Sequence, residues 1–375
     1  MSELKELYIE PTSHCNLSCA MCSRNRWTSE TLGYLSQELF DKVIDEIPDT
    51  VSRIVFGGIG EPLFDPDIVS RVAHAKSTGL PVELITNGSL LDEELSIALV
   101  DAGLDCIWIS LDALDAESFA AIRCGADFDT VMTNIDAFNR ARGFEYRHVA
   151  VFPKITPKLG IAFVLMKQNL AQLGALLKNA YNLGVNDIKV THLLPYEKSQ
   201  LDQALYDRIL GARLYDAVEG LAVIVDMPLL DTRDVDEELL QTFSDPVLSF
   251  SLMGEPLRLK SAYCRFVEEG VAFVRWDGEV SPCMALLHET TIYQRDRKRH
   301  LKAHSFGNVA DKTLAEIWDS DPYQEFRQKV TDFEFSPCVR CGSCELFASN
   351  EHDCSNNTFP TCGACLWARG LFQCP

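Results

Sequence analysis

The 375-residue chain has no apolar run longer than about seven residues, the longest being "GIAFVLM" at 160–166. A helix that spans a bilayer takes about twenty, so a membrane is excluded as a partner. The N-terminus, "MSELKELYIEPTS", has no basic stretch followed by an apolar one. It therefore reads as no export signal, and a cytoplasmic location is the expectation. Positive charge is scarce: 34 Lys and Arg stand against 55 Asp and Glu, for a net charge of -21. A chain this acidic has no general cationic surface to displace counterions from nucleic acid, which is excluded as well. Basic residues gather only in "QRDRKRHLKAH" (294–304). That stretch reads either as a solvated loop or helix face, or as a patch for an anionic substrate or an acidic partner protein.

Cysteine, in contrast, is abundant, with fourteen residues. In a chain without an export signal a reducing cytosol keeps thiols free, so metal ligation is favoured over a disulfide framework. The length suits one large α/β unit and a smaller module. Strand patterns fall at 6–10, 53–58, 82–87, 106–112, 160–166 and 187–193. Helical patterns lie between them, such as "SQELFDKVIDEI" behind a Ser36 cap and "NLAQLGALLKNAYNLG" ending at Gly184. Six strands alternating with helices call for a parallel sheet, either doubly wound or curled into a partial barrel. In both, chemistry sits at the carboxyl ends of the strands. The unusual residues fall there: the cysteines after strand one, "GGIGEP" after strand two, "TNG" after strand three and "SLDA" after strand four. Residues 201–258 read as a helical, acidic bridge without a motif. The remainder, 259–375, is rich in cysteine, short strands and turns, and reads as a second domain.

Cys15, Cys19 and Cys22 are spaced C-x3-C-x2-C. A structural zinc site completes four protein ligands, whereas three thiolates on a cubane of four irons leave one iron open for a ligand. Gly57, Gly58 and Gly60, with Glu61 and Pro62, follow strand two, and glycine suits a ligand that approaches main chain closely. Taken together, the cysteine motif, "GGIGEP", and Ser110 and Arg123 resemble the signature of the radical S-adenosylmethionine (SAM) enzymes. The resemblance implies a partial (β/α)6 TIM-type barrel in residues 1–200 and a SAM-binding [4Fe-4S] cluster on Cys15, Cys19 and Cys22. It also implies reductive cleavage of SAM to a 5′-deoxyadenosyl radical. By the same resemblance Gly58, Gly60 and Glu61 belong to the element that binds the SAM amino group, Ser110 contacts its ribose or carboxylate, and Arg123 pairs with the carboxylate. Met21 stands where an aromatic near the adenine is usual. Asn87 and Asp112 are candidate SAM contacts that serve equally as turn formers. A low-potential electron donor such as ferredoxin or flavodoxin is implied as a partner.

The C-terminal cysteines form a second constellation: Cys264 and Cys283 flanking Gly278, then Cys338, Cys341, Cys344, Cys354, Cys362, Cys365 and Cys374. This resembles the SPASM extension of radical SAM enzymes, a small α+β module with two auxiliary [4Fe-4S] clusters, which would use eight of these nine thiols. The two-residue gap between Cys341 and Cys344 departs from the usual five. Cys264 and Cys283 are expected on the inner cluster and Cys338, Cys341 and Cys344 on the outer, with the last four open. A pair of zinc ribbons is the alternative. Cys106 and Cys124 lie outside both groups; Cys106 reads as a buried apolar residue. His192 either ends strand six pointing into the cavity with Tyr196 or is structural.

Over nearly its whole length, ending in "PTCGACLWARGLFQCP", the chain resembles the tungsten cofactor oxidoreductase radical SAM maturases. That implies work on a tungsten-pterin cofactor or on the aldehyde oxidoreductase-type enzyme receiving it. A maturase of a ribosomally made peptide is the alternative, although strand one starting near residue 6 leaves no room for a leader-binding domain before it. A sulfatase maturase would place Asp where Met284 stands. An iron–sulfur electron carrier without catalysis would have no use for "GGIGEP", Ser110 and Arg123.

Overall fold

The computed structural model describes residues 2–27, 30–144, 156–206, 264–294, 297–336, 338, 344–368 and 372, together with the backbone of 223–227 and 248–252. Six strands form where alternating or β-branched patterns demand them: β1 (Glu6–Ile9), β2 (Arg53–Phe56), β3 (Val82–Thr86), β4 (Cys106–Ser110), β5 (Lys158–Leu165) and β6 (Asp187–His192). They pair in sequence order, all parallel. The crossovers carry α1 (Gln37–Asp45), α2 (Ile68–Ser77), α3 (Glu93–Asp101), α4 (Ala116–Ile122), α5 (Phe128–Ala141) and α6 (Leu170–Asn179). Ser36 caps α1 by accepting from Leu39 N–H, and Asp92, Asp115 and Asp127 cap α3, α4 and α5 in the same way. Each such cap stabilises its helix by about 1 kcal/mol.

Alternation along the strands divides the sheet into two faces. Leu7, Ile9, Ile54, Phe56, Leu84, Ile107, Ile109, Ile161, Phe163, Ile188 and Val190 are buried in one continuous apolar core with Phe40, Val43 and Leu99 of the helices. The other face lines the inside of the partial barrel and is polar at its floor. There Arg53 pairs with Glu6 at 2.6 Å and Glu83 at 3.0 Å, Trp108 Nε1 donates to Glu83 at 2.7 Å, and Lys189 lies over the Trp108 ring. Gly160 is required here, since a Cβ would stand 2.4 Å from the Trp108 ring.

Two features depart from the expected layout. Residues 201–258, read as a helical bridge, contain β7 (Val223–Met227) and β8 (Leu248–Leu252), which extend the sheet in parallel beyond β6. The β-branched run around "VIVDM" outweighs the acidic, leucine-rich flanks that suggested helix; those flanks lie outside the described residues. At the other edge, β9 (Val271–Val274) pairs parallel with β1 in the register Glu6↔Val271, and β10 (Val280–Ser281) pairs antiparallel with β9. The cysteine-rich region therefore shares the main sheet. Its other elements are α7 (Arg265–Glu268), α8 (Leu314–Trp318), α9 (Asp321–Asp332) and a hairpin of β11 (Thr290–Gln294) and β12 (Arg297–Leu301). Residues 297–301 of the basic stretch 294–304 are thus strand rather than loop or helix, with Arg299 and Leu301 buried. Ile292 and Leu301 join Phe347, Ala364, Leu366, Phe372, Leu194 and Tyr206 in a second apolar core. Among the described residues no helix is long and apolar enough to cross a membrane.

Candidate active site

At the end of β1 the chain turns into the segment 13–22, which lies along the residues after α4: Ser18 N–H donates to the Cys124 carbonyl at 3.0 Å and Ala20 N–H to that of Ile122 at 2.9 Å. Arg24 donates to the Leu17 carbonyl and Asn25 to the Cys19 carbonyl, so the loop is tied to itself. Donors lie close to Cys15 and Cys19. Leu17 N–H lies 3.4 Å from Cys15 Sγ, Asn87 Nδ2 lies 3.9 Å from the same sulfur, and Arg123 Nη1 lies 3.9 Å from Cys19 Sγ. Burial raises the thiols of Cys15 and Cys22 above their usual pKa. Metal binding reverses that, because a coordinated thiol is deprotonated and the surrounding donors then meet thiolates. Three cysteines on one short loop, each sulfur free of disulfide, with N–H groups aimed at two of them, fit an iron–sulfur cluster with one iron left for another ligand.

The "GGIGEP" element is built from contacts within the chain. A Cβ on Gly60 would stand 2.1 Å from the Thr12 carbonyl oxygen, and one on Gly58 would stand 2.5 Å from the Glu10 carboxylate. These glycines are needed for the approach of β1 and its loop, a different reason from the ligand approach expected of them. Glu61 is buried with both oxygens engaged: Oε1 accepts from Thr86 Oγ1 at 2.6 Å and Leu63 N–H at 3.0 Å, and Oε2 from Asn87 N–H at 2.7 Å. Burial raises its pKa against the pull of those three donors. Its side chain thus fixes the end of β3 to the loop after β2, and its main chain bonds to His14 and Phe64. Asn87 accepts from Ser89 N–H through its side chain and donates to Asn16, so it is a turn former that also faces Cys15.

Ser110 ends β4 half-buried on the inner face. Two residues on, Asp112 is fully buried; Oδ2 accepts from Arg123 Nε at 2.6 Å and Oδ1 from Val164 N–H at 2.6 Å. Burial opposes the Arg123 charge, but Asp112 and Cys19 hold its pKa above the ordinary value. A buried Asp–Arg pair of this geometry places a guanidinium edge beside the cysteine loop. Met21 packs against Ile122, Met166 and Leu193, an apolar patch next to that loop. The sequence-predicted residues Cys15, Cys19, Cys22, Glu61, Asn87, Asp112 and Arg123 therefore meet at one end of the barrel.

One group escaped the sequence reading. His288, after the second C-terminal cysteine, is buried with Nε2 2.8 Å from Glu10 at the end of β1 and Nδ1 2.9 Å from Glu30. Both ring nitrogens meet carboxylates, the ring lies against Trp27 at 4.5 Å, and Glu10 also accepts from Ile59 N–H of "GGIGEP" at 2.9 Å. Burial lowers the imidazole's proton affinity, but the two carboxylates outweigh it and push its pKa up to about 9. The C-terminal region is thereby bonded to the same loop that carries Gly58 and Gly60. Glu10 in an otherwise apolar strand was the only available signal.

The C-terminal thiols separate. Cys264, Cys283, Cys362 and Cys365 converge: Cys365 and Cys264 both raise Cys283, and Cys365, Cys264 and Cys283 all raise Cys362. Burial, then Cys365, pushes Cys264 up to about 12. Four thiols pressing on one another, one buried and three half-buried, are a donor set that favours a metal centre, since ligation removes their protons. No three of these groups stand close enough, among the described residues, to share one metal ion; a cubane asks less, as each thiolate binds a different iron. The inner pair Cys264 and Cys283 is so joined by Cys362 and Cys365. Cys338 borders the second apolar core, Cys344 precedes the turn 345–348, and Cys354 is exposed beside Ser336. Cys341 and Cys374 lie outside the described residues. The stretch after Cys365 reaches back to the barrel: Trp367 and Phe372 line a pocket with Glu6, Tyr8 and Val271, and Phe372 also meets His192 and Tyr206. His192 is thus a buried ring among aromatics. Cys106 is buried in β4, as its apolar surroundings suggested.

Residues 9–157 match the family model of the radical SAM superfamily, and residues 264–345 match the SPASM iron-sulfur cluster-binding domain. The chain belongs to the radical SAM superfamily and is an enzyme of the kind that carries [4Fe-4S] clusters and SAM. It is 32% identical, over 99% of its length and 97% of the relative's, to the tungsten-containing aldehyde ferredoxin oxidoreductase cofactor-modifying protein of Pyrococcus furiosus. It is 26% identical to the PqqA peptide cyclase of Gluconobacter oxydans, over 95% of this chain and 89% of that one. The fold matches Streptococcus suis SuiB bound to SAM with a TM-score of 0.60 and 19% identity, covering 91% of this chain and 71% of that one.

Proposed function

We propose that this enzyme matures a tungsten-pterin cofactor, or the aldehyde oxidoreductase-type enzyme that receives it, by radical chemistry started from SAM. The observation that carries the reading is the end-to-end likeness to the Pyrococcus cofactor-modifying protein. When bound, the cluster and SAM supply an electron and a carbon-centred radical capable of abstracting hydrogen. The chain's own residues do the rest. Cys15, Cys19 and Cys22 hold the cluster. Main chain at Gly58, Gly60 and Glu61 receives the amino group, with Glu61's carboxylate fixing that loop. Ser110 and the Asp112-held Arg123 meet the ribose and carboxylate, and the Met21 patch takes the adenine. Cys264, Cys283, Cys362 and Cys365 hold one auxiliary cluster, and the other draws on Cys338, Cys341, Cys344, Cys354 and Cys374. A low-potential donor such as ferredoxin or flavodoxin delivers the electron.

The test has two stages. Anaerobic reconstitution yields about twelve irons per chain, and dithionite with SAM releases 5′-deoxyadenosine; zinc alone and no cleavage refutes the enzyme. A tungsten oxidoreductase is then produced with and without this protein, and its cofactor is compared by mass. An unchanged cofactor and host in both preparations refutes the substrate. The second reading, modification of a ribosomally made peptide, draws on the PqqA peptide cyclase likeness and predicts a mass change on a short peptide encoded beside the gene.

A further inference from the structure

Arg299 lies on the inward face of the β11–β12 hairpin, opposite Ile292, and is 2% exposed. Its neighbours on that face are Ile292, Leu301, Phe347 and Ala364, all buried and apolar. Gln294, buried on the same face, donates to the Ala364 carbonyl at 2.9 Å, which ties the hairpin to the loop between Cys362 and Cys365. Arg299 Nη1 donates to the Phe347 carbonyl at 2.6 Å and its guanidinium lies over the Phe347 ring, but Nε is buried without an acceptor. Among the described residues it forms no ion pair with a carboxylate.

The other buried arginines are treated differently. Arg53, Arg71 and Arg123 each pair with a carboxylate. Arg142 is surrounded by the oxygens of Asn139, Pro157, Gly184 and Asn186, and Arg327 keeps Asp319 within electrostatic reach. An isolated buried cation is strongly unfavourable unless an anion accompanies it. Cys338 borders the apolar core that Arg299 enters, and Cys362 and Cys365 flank Ala364 of the same core; burial lowers the Arg299 pKa, and these three sulfurs act against it. Those sulfurs become anionic only when they bind a metal centre.

We propose that Arg299 is the buried counter-cation of the auxiliary iron–sulfur centres, a positioning residue that stands beside Cys362, Cys365 and Cys338 and sets how readily those centres accept an electron. A fixed positive charge stabilises the reduced, more negative cluster over the oxidised one. The role depends on the cluster chemistry and not on the identity of the substrate. Of the five basic residues in 294–304, Arg299 is the one whose burial carries this function; Lys298, next to it, points outward.

The experiment is an electron paramagnetic resonance redox titration of the anaerobically reconstituted full chain, with iron counted in each sample. Arg299→Met keeps bulk and removes charge. Its auxiliary signal is expected to shift to lower potential by roughly tenfold in the reduction equilibrium, which is about 59 mV for one electron. Arg299→Lys restores most of the shift, and Lys298→Met leaves the potential where it was. If Arg299→Met fails to load iron, the same reading is taken on Arg299→Gln, which removes the charge but keeps an N–H donor. An unshifted potential in the charge-free variant, or an equal shift in Arg299→Lys and Lys298→Met, overturns the proposal.

Discussion

Replacing His288 by leucine removes the positive group that bonds both Glu10 and Glu30 and leaves two carboxylates facing an apolar side chain. In the wild type the imidazolium donates to both, at 2.8 Å and 2.9 Å. Its pKa rises from 6.5 to about 9 on folding. At about 1.36 kcal/mol per unit this linkage is worth ~3 kcal/mol. Because the folded value is the higher one, the contribution is complete below about pH 6.5 and is lost as pH rises through about 9. Glu30 works in the opposite sense: burial opposes its charge, but hydrogen bonds from His288 and Glu289 hold its pKa below 4.5. Its contribution is present above 4.5 and is lost as pH falls through the folded value. Arg275, which also faces Glu30, stays charged throughout. The assay is anaerobic urea unfolding of cluster-loaded protein between about pH 6 and about pH 10. At pH 7 the variant is expected to be less stable by about 3–5 kcal/mol, the usual effect of removing one partner of a buried pair. The difference should narrow steadily above pH 7 as the wild type loses its imidazolium. A wild type and variant whose stabilities run parallel through pH 9 would refute the reasoning, since His288 would then not carry the proton.

Three further outcomes follow from the site. Asp112→Ala leaves Arg123 buried without its carboxylate and Val164 N–H without an acceptor; a loss of about 3–5 kcal/mol should appear in thermal unfolding, whereas Asp112→Asn should fold better and weaken SAM binding in a titration. Gly60→Ala forces a methyl against the Thr12 carbonyl, 2.1 Å away, and should displace the cysteine loop, seen as loss of the SAM-responsive paramagnetic signal while the auxiliary signals persist. Cys362→Ala should lower iron from about twelve to about eight per chain, whereas Cys106→Ala should leave iron unchanged, as measured by metal analysis.

The six barrel strands were readable because each shows one face of branched apolar residues to the helices, a local pattern. Helix α1 was readable for the same reason, with its cap in place at Ser36. The cysteine loop was readable because its spacing is itself the chemistry. What could not be read are pairings between distant residues. Nothing near Glu10 announces His288, 278 residues later. The β9 strand reads as a short apolar run, and only its partner makes it part of the main sheet. The basic stretch 294–304 was read by its charge, while its period of two, which turns Arg299 inward and Lys298 outward, is legible only once a hairpin is assumed. The glycines of "GGIGEP" were singled out for a close approach, and the approach visible within the chain is that of Thr12 and Glu10, because sequence shows that something comes close and not what.

The pairing of β9 with β1 also bears on how the chain is made. β1 leaves the ribosome long before β9, and one of its two edges stays open until residues 271–274 follow it. Throughout that interval "ELYI" presents unpaired N–H and C=O groups next to three thiols that have not yet received metal. An open edge of this kind invites pairing with another chain. Glu6, at the start of the exposed row, supplies a charge that resists it until Arg53 arrives to neutralise it. Conditions that slow synthesis of the second half should therefore favour aggregation over misfolding of the finished protein.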